Sequence, residues 1–116
     1  MKAYYARPIT HYGTQADNET INTLKKMGMH VVDPNQEMYL REYKRIGMDA
    51  FLNIVSECDL IFFKSFWDGK VTAGVQKEIQ KAYDLNIPVF EVNPFISTLR
   101  TLSVEDTRES IKLGVK

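Results

Sequence analysis

Short apolar runs alternate with longer stretches of mixed polarity along this chain. Runs of strand length occur at residues 3–6, 30–32, 60–63 and 89–92. The run at 60–63 is continuously apolar, which is typical of a strand that is covered on both faces, as in a parallel sheet. The stretches between them carry apolar residues at helical spacing. The pattern therefore predicts strands that alternate with helices.

The first two helical stretches have recognisable boundaries. Thr14 or Asp17 is suited to cap a helix that runs to about residue 27, with Ile21, Leu24 and Met27 inward. Gly28 is a natural residue to follow its end. A second helix is predicted over residues 36–46, because the apolar residues there recur at helical spacing: Tyr39, Leu40, Tyr43 and Ile46.

Gly47 interrupts the second helix, and a third amphipathic stretch leads from Met48 to Asp59. The last clear helix follows the Leu60 strand. Its apolar stripe consists of Val75, Ile79, Ala82 and Tyr83. Glu78 lies beside this stripe on a helical wheel, so its carboxylate is predicted either to point over the sheet edge or to be an ordinary solvated glutamate near a helix start.

This order of elements predicts an α/β three-layer sandwich, flavodoxin- or Rossmann-like, in one domain over residues 1–116. The predicted parallel sheet has four or five strands in the order 2-1-3-4, with a possible fifth strand or loop in residues 97–102. A last short helix is predicted to run from Ser103 through Ile111. Ligands bind such sheets where the strand order reverses, beyond the carboxyl ends of the strands. The loops 7–13 and 66–74 are predicted to meet there.

Composition narrows the classes of function. The 116 residues include 15 basic and 15 acidic side chains, so we expect no bulk attraction to nucleic acid or to a membrane surface. No apolar run approaches a membrane span, and the amino terminus predicts a strand rather than a signal peptide. The single Cys58 fits a reducing compartment, and we expect a cytoplasmic protein. One cysteine and two histidines do not predict a metal site, and we expect no cofactor.

Two sequence blocks carry a resemblance to a known family. The stretch Tyr4-Tyr-Ala-Arg-Pro-Ile resembles the opening pattern of the nucleoside 2-deoxyribosyltransferase superfamily. Asp68-Gly, the segment Thr72-Ala-Gly-Val-Gln-Lys-Glu78 and the Pro88-Val strand are similar to that family's nucleophile segment and the elements that follow it. The resemblance extends to about residue 94, and the joint placement of the blocks is more specific than either block alone.

The resemblance implies an activity. Glu78 matches the glutamate nucleophile that attacks C1′ of the sugar and expels the base, through a covalent glycosyl-enzyme intermediate. The chain resembles most the branch that hydrolyses 2′-deoxynucleoside 5′-monophosphates. In that branch a serine lies six residues before the nucleophile, where the transferases have an aspartate. Thr72 occupies the position here, and with Gly74 and the helix amides it is predicted to face a 5′-phosphate.

Two positions depart from the family pattern. Arg7 replaces a glycine of the first loop, where a long cation is predicted to fill part of the phosphate region or to grip a phosphate bidentately. The family's acid, eight residues ahead of Asp59, corresponds to Phe51. Asp49 lies two positions away, about 200° around a helix. Asp49 and Asp68 are the two candidates for the proton donor to the leaving base.

The remaining candidates have both a binding and a structural interpretation. Tyr4 matches a substrate-side tyrosine of the family or is a core aromatic. Thr10 belongs to the phosphate-facing loop by position or is an ordinary loop residue. Trp67, the only tryptophan, is suited to stack on a base or to cover the core.

Three classes of function stay open at this stage. The first is an enzyme, either the monophosphate hydrolase or a nucleoside 2-deoxyribosyltransferase. The second is a nucleotide-binding protein on the same fold without chemistry, and the third is a structural or regulatory oligomer. The resemblance also implies a homodimer or larger homo-oligomer, with residues 97–110 completing a neighbour's site.

Overall fold

A computed structural model describes residues 1–66 and 68–92 in full and residues 99–101 as a strand without their side chains. The elements in chain order are β1 (Lys2–Ala6), α1 (Gln15–Lys26), β2 (His30–Val32), α2 (Glu37–Ile46), α3 (Asp49–Ser56), β3 (Leu60–Lys64), α4 (Ala73–Asp84), β4 (Val89–Val92) and β5 (Leu99–Thr101). A short 3-10 turn, Ile9–His11, follows β1.

The sheet confirms the predicted fold class and strand order. The order is β2-β1-β3-β4-β5, and the first four strands are parallel. The strand β5 is antiparallel to β4, so the fifth strand does not extend the parallel pattern. The β1–β3 register pairs Tyr4 with Ile61 and Ala6 with Phe63, which brings the carboxyl ends of these two strands side by side.

The two faces of the sheet pack against different helices. Successive strand residues point to opposite faces, so Tyr4 and Tyr5 belong to separate cores. The Tyr4 face packs against α3 and α4 through Val55 and Ile79, whereas the Tyr5 face packs against α1 through Leu24. Because α4 covers the Tyr4 face, the inward side chains of α4 pack directly on that face of the sheet.

Local chemistry fixes the helix ends. The Thr14 hydroxyl caps α1 by accepting from the Asp17 amide at 3.2 Å, and Thr72 caps α4 by accepting from the Val75 amide at 3.2 Å. Gly47 has a φ of 74°, a conformation that favours glycine, and it separates α2 from α3. The predicted interruption at Gly47 is confirmed.

Some predicted details are wrong. Met27 is 50% exposed rather than inward, because it is the C-cap of α1, where the chain leaves the helix. Ile46 is 37% exposed, because it is the last residue of α2, a helix that packs on α3 and buries none of its own residues fully. The predicted helix over 103–111 lies outside the described residues. Within the part of the chain that is described, no helix is long and apolar enough to cross a membrane.

Candidate functional site

A cavity of about 420 Å³ lies beyond the carboxyl end of β1. The loop after β1 forms one side, the first turns of α4 form another, and side chains from α2 and α3 form a third. Both loops that the strand order predicts to meet, 7–13 and 66–74, contribute to its lining. The volume falls in the range of small-molecule sites, about 300–1,000 Å³.

Glu78 is the chemically distinctive residue of this cavity. It lies on the buried face of α4 beside Val75 and Ile79 and is only 5% exposed. Burial raises the pKa of its carboxyl from 4.5 to about 8, although the neighbouring Tyr4 hydroxyl and the charge of Arg7 act in the opposite direction. No lysine or arginine of the described residues forms an ion pair with it. The sequence therefore located Glu78 correctly beside the apolar stripe, and the solvated alternative is wrong.

Tyr4 lies on the sheet beneath Glu78 and is fully buried. Burial raises the pKa of its phenol, and the neighbouring Glu78 carboxylate raises it further. Geometrically, the Tyr4 hydroxyl has no hydrogen-bond partner within the described residues. With its pKa raised, the Tyr4 phenol stays protonated beside the Glu78 carboxyl.

Arg7 is held inside the protein by two carboxylates. Its side chain is 0% exposed, and its Nε and Nη2 atoms donate to the two Asp17 oxygens at 2.8 Å each. Its Nη1 donates to Asp33 Oδ1 at 2.6 Å. The guanidinium carbon also lies 4.6 Å from the Tyr5 ring centre and 4.3 Å from that of Tyr12. The bidentate grip that the sequence predicted for a phosphate is thus made on Asp17, so in this structure Arg7 does not offer it to a ligand.

The Arg7 cluster connects three separate segments. Asp17 is in the first turn of α1, and Asp33 directly follows β2. The Asp17 carboxylate also accepts from the Gly13 amide at 3.2 Å, which fixes the end of the loop after β1. Because Tyr12 stacks on the guanidinium and lines the cavity, the cluster also holds one cavity wall.

The start of α4 supplies the polar part of the cavity. Thr72 and Gly74 line it as predicted, and Thr10 lines it from the opposite loop. A Cβ added to Gly74 would lie 3.6 Å from Met48 Sδ, an ordinary contact, so space alone does not demand glycine there. Lys77 also lines the cavity and is exposed. Sequence reasoning missed this cation, although its position directly before Glu78 was a usable signal.

An apolar wall faces the α4 side. The rings of Tyr43 and Phe51 stack with centres 4.9 Å apart and an angle of 13° between their planes. Met48 and Phe66 extend the wall, and the Phe66 ring makes an edge contact with His11 at 5.5 Å. Tyr43 and Met48 thus line the cavity.

The structure does not bring the two predicted acids into the cavity. Asp49 is exposed in the first turn of α3 and is not part of the lining. Asp68 is exposed in the turn before Lys70, whose amide donates to it at 3.1 Å, and it is not part of the lining either. The lining residue at this end of α3 is Phe51, because a shift of two positions moves a side chain to the far side of a helix. Trp67 lies outside the described residues.

Metal and thiol chemistry have little support in the described part of the chain. It contains no group of three or more His, Cys, Asp or Glu side chains able to hold a metal ion. Cys58 is buried, its thiol donates to the Ile54 carbonyl at 3.3 Å, and burial raises the pKa of this thiol to about 11. An un-ionised thiol of this kind is inert as a nucleophile.

A scan with protein-family models and a search of curated proteins both gave no match to this chain. The fold and the cavity define the class on their own: an α/β sandwich with a crevice of about 420 Å³ at the point where the strand order reverses.

Proposed function

We propose that this protein hydrolyses the N-glycosidic bond of a nucleoside or deoxynucleoside 5′-monophosphate, with Glu78 as the nucleophile. The observation that carries the proposal is a buried carboxylate between an aromatic wall and the start of α4 within one cavity. The wall suits a base, and the helix start suits a phosphate. The resemblance of residues 72–78 to the nucleophile segment of the deoxyribosyltransferase superfamily supports the same assignment.

The reaction has two steps. The Glu78 carboxylate attacks C1′ of the sugar, the C1′–N bond breaks, and its electron pair leaves with the base, which takes up a proton from water. Water then hydrolyses the resulting ester, which releases the sugar phosphate and restores Glu78. Tyr4, which lies next to Glu78, orients the carboxyl in this proposal.

The rate of base release is expected to rise with pH up to about 8. Attack requires ionised Glu78, whose pKa is raised to about 8. Only about one molecule in ten is then ionised at pH 7. Besides burial, the groups that act on this titration are Tyr4 and Arg7. We expect kcat/KM to increase roughly tenfold per pH unit below 8 and then level off. A rate that falls between pH 6 and 8 would assign Glu78 the role of an acid.

The phosphate is proposed to bind at the start of α4. Thr72 and the amides that follow it line the cavity, and the helix dipole favours an anion at this end. Lys77 supplies the cation that the sequence assigned to Arg7. A carboxylate in place of the Thr72 hydroxyl would repel the phosphate.

The substitution Thr72→Asp is expected to remove a preference for the monophosphate over its nucleoside. Aspartate is a good N-cap, so α4 keeps its start while the site gains a negative charge. We expect the parent to favour the monophosphate and Thr72→Asp to lose at least about tenfold of that preference. Thr72→Ser keeps both the cap and the hydroxyl and serves as the matched control. Equal use of both compounds by the parent would contradict the phosphate site.

Two other functions are alternatives to the hydrolase. A deoxyribosyltransferase would use the same Glu78 ester but would pass the sugar to a second base rather than to water. A binding protein without chemistry is favoured by the exclusion of Asp49 and Asp68 from the lining. Incubation with a panel of 5′-monophosphates, with and without an added base, separates the three. Free base supports the hydrolase, base exchange supports the transferase, and binding without either product supports the binding protein.

We further propose that the protein acts in the cytoplasm as a homodimer or larger homo-oligomer. Free Cys58 agrees with a reducing compartment. The tail 97–110, from which a neighbour's site would be completed, lies outside the described residues except for the strand Leu99–Thr101. A monomeric mass by light scattering, together with full activity at the same concentration, would rule out a shared site.

A further inference from the structure

The one carboxylate of the described cavity lining forms no ion pair within the described residues, although Arg7 and Lys77 also line the cavity. Glu78 is the only carboxylate in the described lining. The nearest guanidinium, Arg7, is already bound by both Asp17 and Asp33, which together outweigh its charge. Lys77 is exposed rather than buried beside Glu78. An ionised Glu78 therefore has no ion-pair partner in the described part of the chain, although the charge of Arg7 acts on it from a distance.

The apolar wall has the chemistry that binds cations. Tyr12, Tyr43, Phe51 and Phe66 all line the cavity, and Tyr43 and Phe51 stack nearly parallel. The faces of aromatic rings attract cations, most strongly where water is excluded. Tyr12 already shows this in the protein, because the Arg7 guanidinium lies 4.3 Å from its ring centre.

We propose that this cavity selects a cationic aromatic ring, so that the ligand is a pyridinium N-glycoside 5′-monophosphate rather than a nucleotide with a neutral base. The aromatic wall and the Glu78 carboxylate select the ring, and the start of α4 takes the phosphate. The assignment of a substrate rests on the proposed function. The selection of a cation rests on the cavity alone.

A pyridinium leaving group also fits a cavity without a second acid. When its C1′–N bond breaks, the electron pair moves onto the ring nitrogen and neutralises the positive charge. The ring leaves as a neutral pyridine and needs no proton from the protein. Glu78 forms the ester to C1′, and water cleaves it to sugar phosphate with release of one proton. Neither Asp49 nor Asp68 is required for this sequence.

Binding of two nearly isosteric compounds tests the cation directly. The probes are 1-methylnicotinamide, a cation, and nicotinamide, its neutral counterpart, each titrated calorimetrically at pH 9, where Glu78 is ionised. We expect the cation to bind at least about tenfold more tightly to the parent. In Glu78→Gln the ratio should fall to about two- or threefold, because only the aromatic wall then remains. Glu57→Gln, at an exposed glutamate outside the cavity, should keep the parent ratio. Equal binding of the two probes to the parent overturns the proposal.

Turnover separates this inference from the proposed function. Nicotinamide mononucleotide is compared with cytidine and inosine 5′-monophosphates by release of the free ring. Faster release of nicotinamide supports both ideas. Release from the neutral nucleotides at an equal or higher rate overturns the pyridinium preference and leaves the hydrolase in place. A cation preference in binding without any release supports the ring selection and refutes the hydrolase.

Discussion

The variant Glu78→Gln is expected to be more stable than the parent above pH 8, while its turnover falls about a thousandfold or more. Stability is gained because the folded protein raises the pKa of Glu78 from 4.5 to about 8. Between these values the folded state holds a proton that the unfolded state has released. The parent therefore loses stability as the pH rises from 4.5 to 8, and the loss is complete above 8. Each unit of pKa shift corresponds to about 1.4 kcal/mol, so the difference approaches about 5 kcal/mol.

The measurement is urea unfolding of parent and variant at a series of pH values. We expect the two midpoints to lie close together near pH 4.5 and to separate progressively up to pH 8. Glu57→Gln, at an exposed position, should track the parent throughout. If the urea midpoints of parent and Glu78→Gln change with pH in the same way, the folded protein does not raise the pKa of Glu78.

Turnover of the same variant tests its role in the reaction. Glutamine keeps the shape of the side chain but cannot form the ester to C1′. A more stable protein that has lost base release would identify a residue kept for chemistry at the expense of stability. Base release within a few-fold of the parent would end the nucleophile assignment without affecting the stability argument.

The fold was predictable because local patterns and global topology agree. The buried strands β1 and β3 are apolar throughout their centres, and a parallel pair needs the long helical connections that the spacing indicated. The orientation of β5 was not predictable, because a three-residue strand carries almost no directional pattern. The exposure of Ile46 was missed for a related reason. An apolar stripe shows which side of a helix is inward, but it does not show how deep the helix lies.

A site residue was predictable only where the sequence pattern of a single helix or strand fixes its position. The position of Glu78 followed from the stripe of a single helix. The partners of Arg7 did not, because Asp17 and Asp33 come from two other segments that only the folded sheet brings together. The prediction of the two acids was wrong for the opposite reason. Asp49 and Asp68 are close to the site in sequence, yet the helix phase turns one away and a turn holds the other outside the lining.

The Arg7 cluster and Glu78 are connected electrostatically. The positive charge of Arg7 lowers the pKa of Glu78, and the ring of Tyr12 lies between the cluster and the cavity lining. Arg7 lines the cavity, and it is a positioning residue: it fixes the loop and the wall and moderates the acidity of Glu78. A glycine at this position would leave both aspartates without their cation.

Arg7→Met is expected to destabilise the protein by about 3–5 kcal/mol at pH 7, because it leaves buried Asp17 without a partner for its charge. Methionine has a similar length and apolar character, so the loss reports the charge rather than a large cavity. The matched control is Arg41→Met. Arg41 forms an exposed ion pair with Glu37 at 3.0 Å on α2, and such pairs contribute about 0.5 kcal/mol or less. Denaturant unfolding of both variants gives the comparison.

Two further variants show whether the charge of Asp17 causes the loss. Asp17→Asn in the Arg7→Met background removes the unpaired carboxylate, so the double variant should recover at least about 1–2 kcal/mol relative to Arg7→Met alone. Arg7→Lys retains a cation but not the bidentate geometry, and we expect its stability to fall between those of the parent and Arg7→Met. If Arg7→Met loses no more than Arg41→Met, the cluster does not stabilise the fold, and the loop after β1 must be held by its backbone contacts alone.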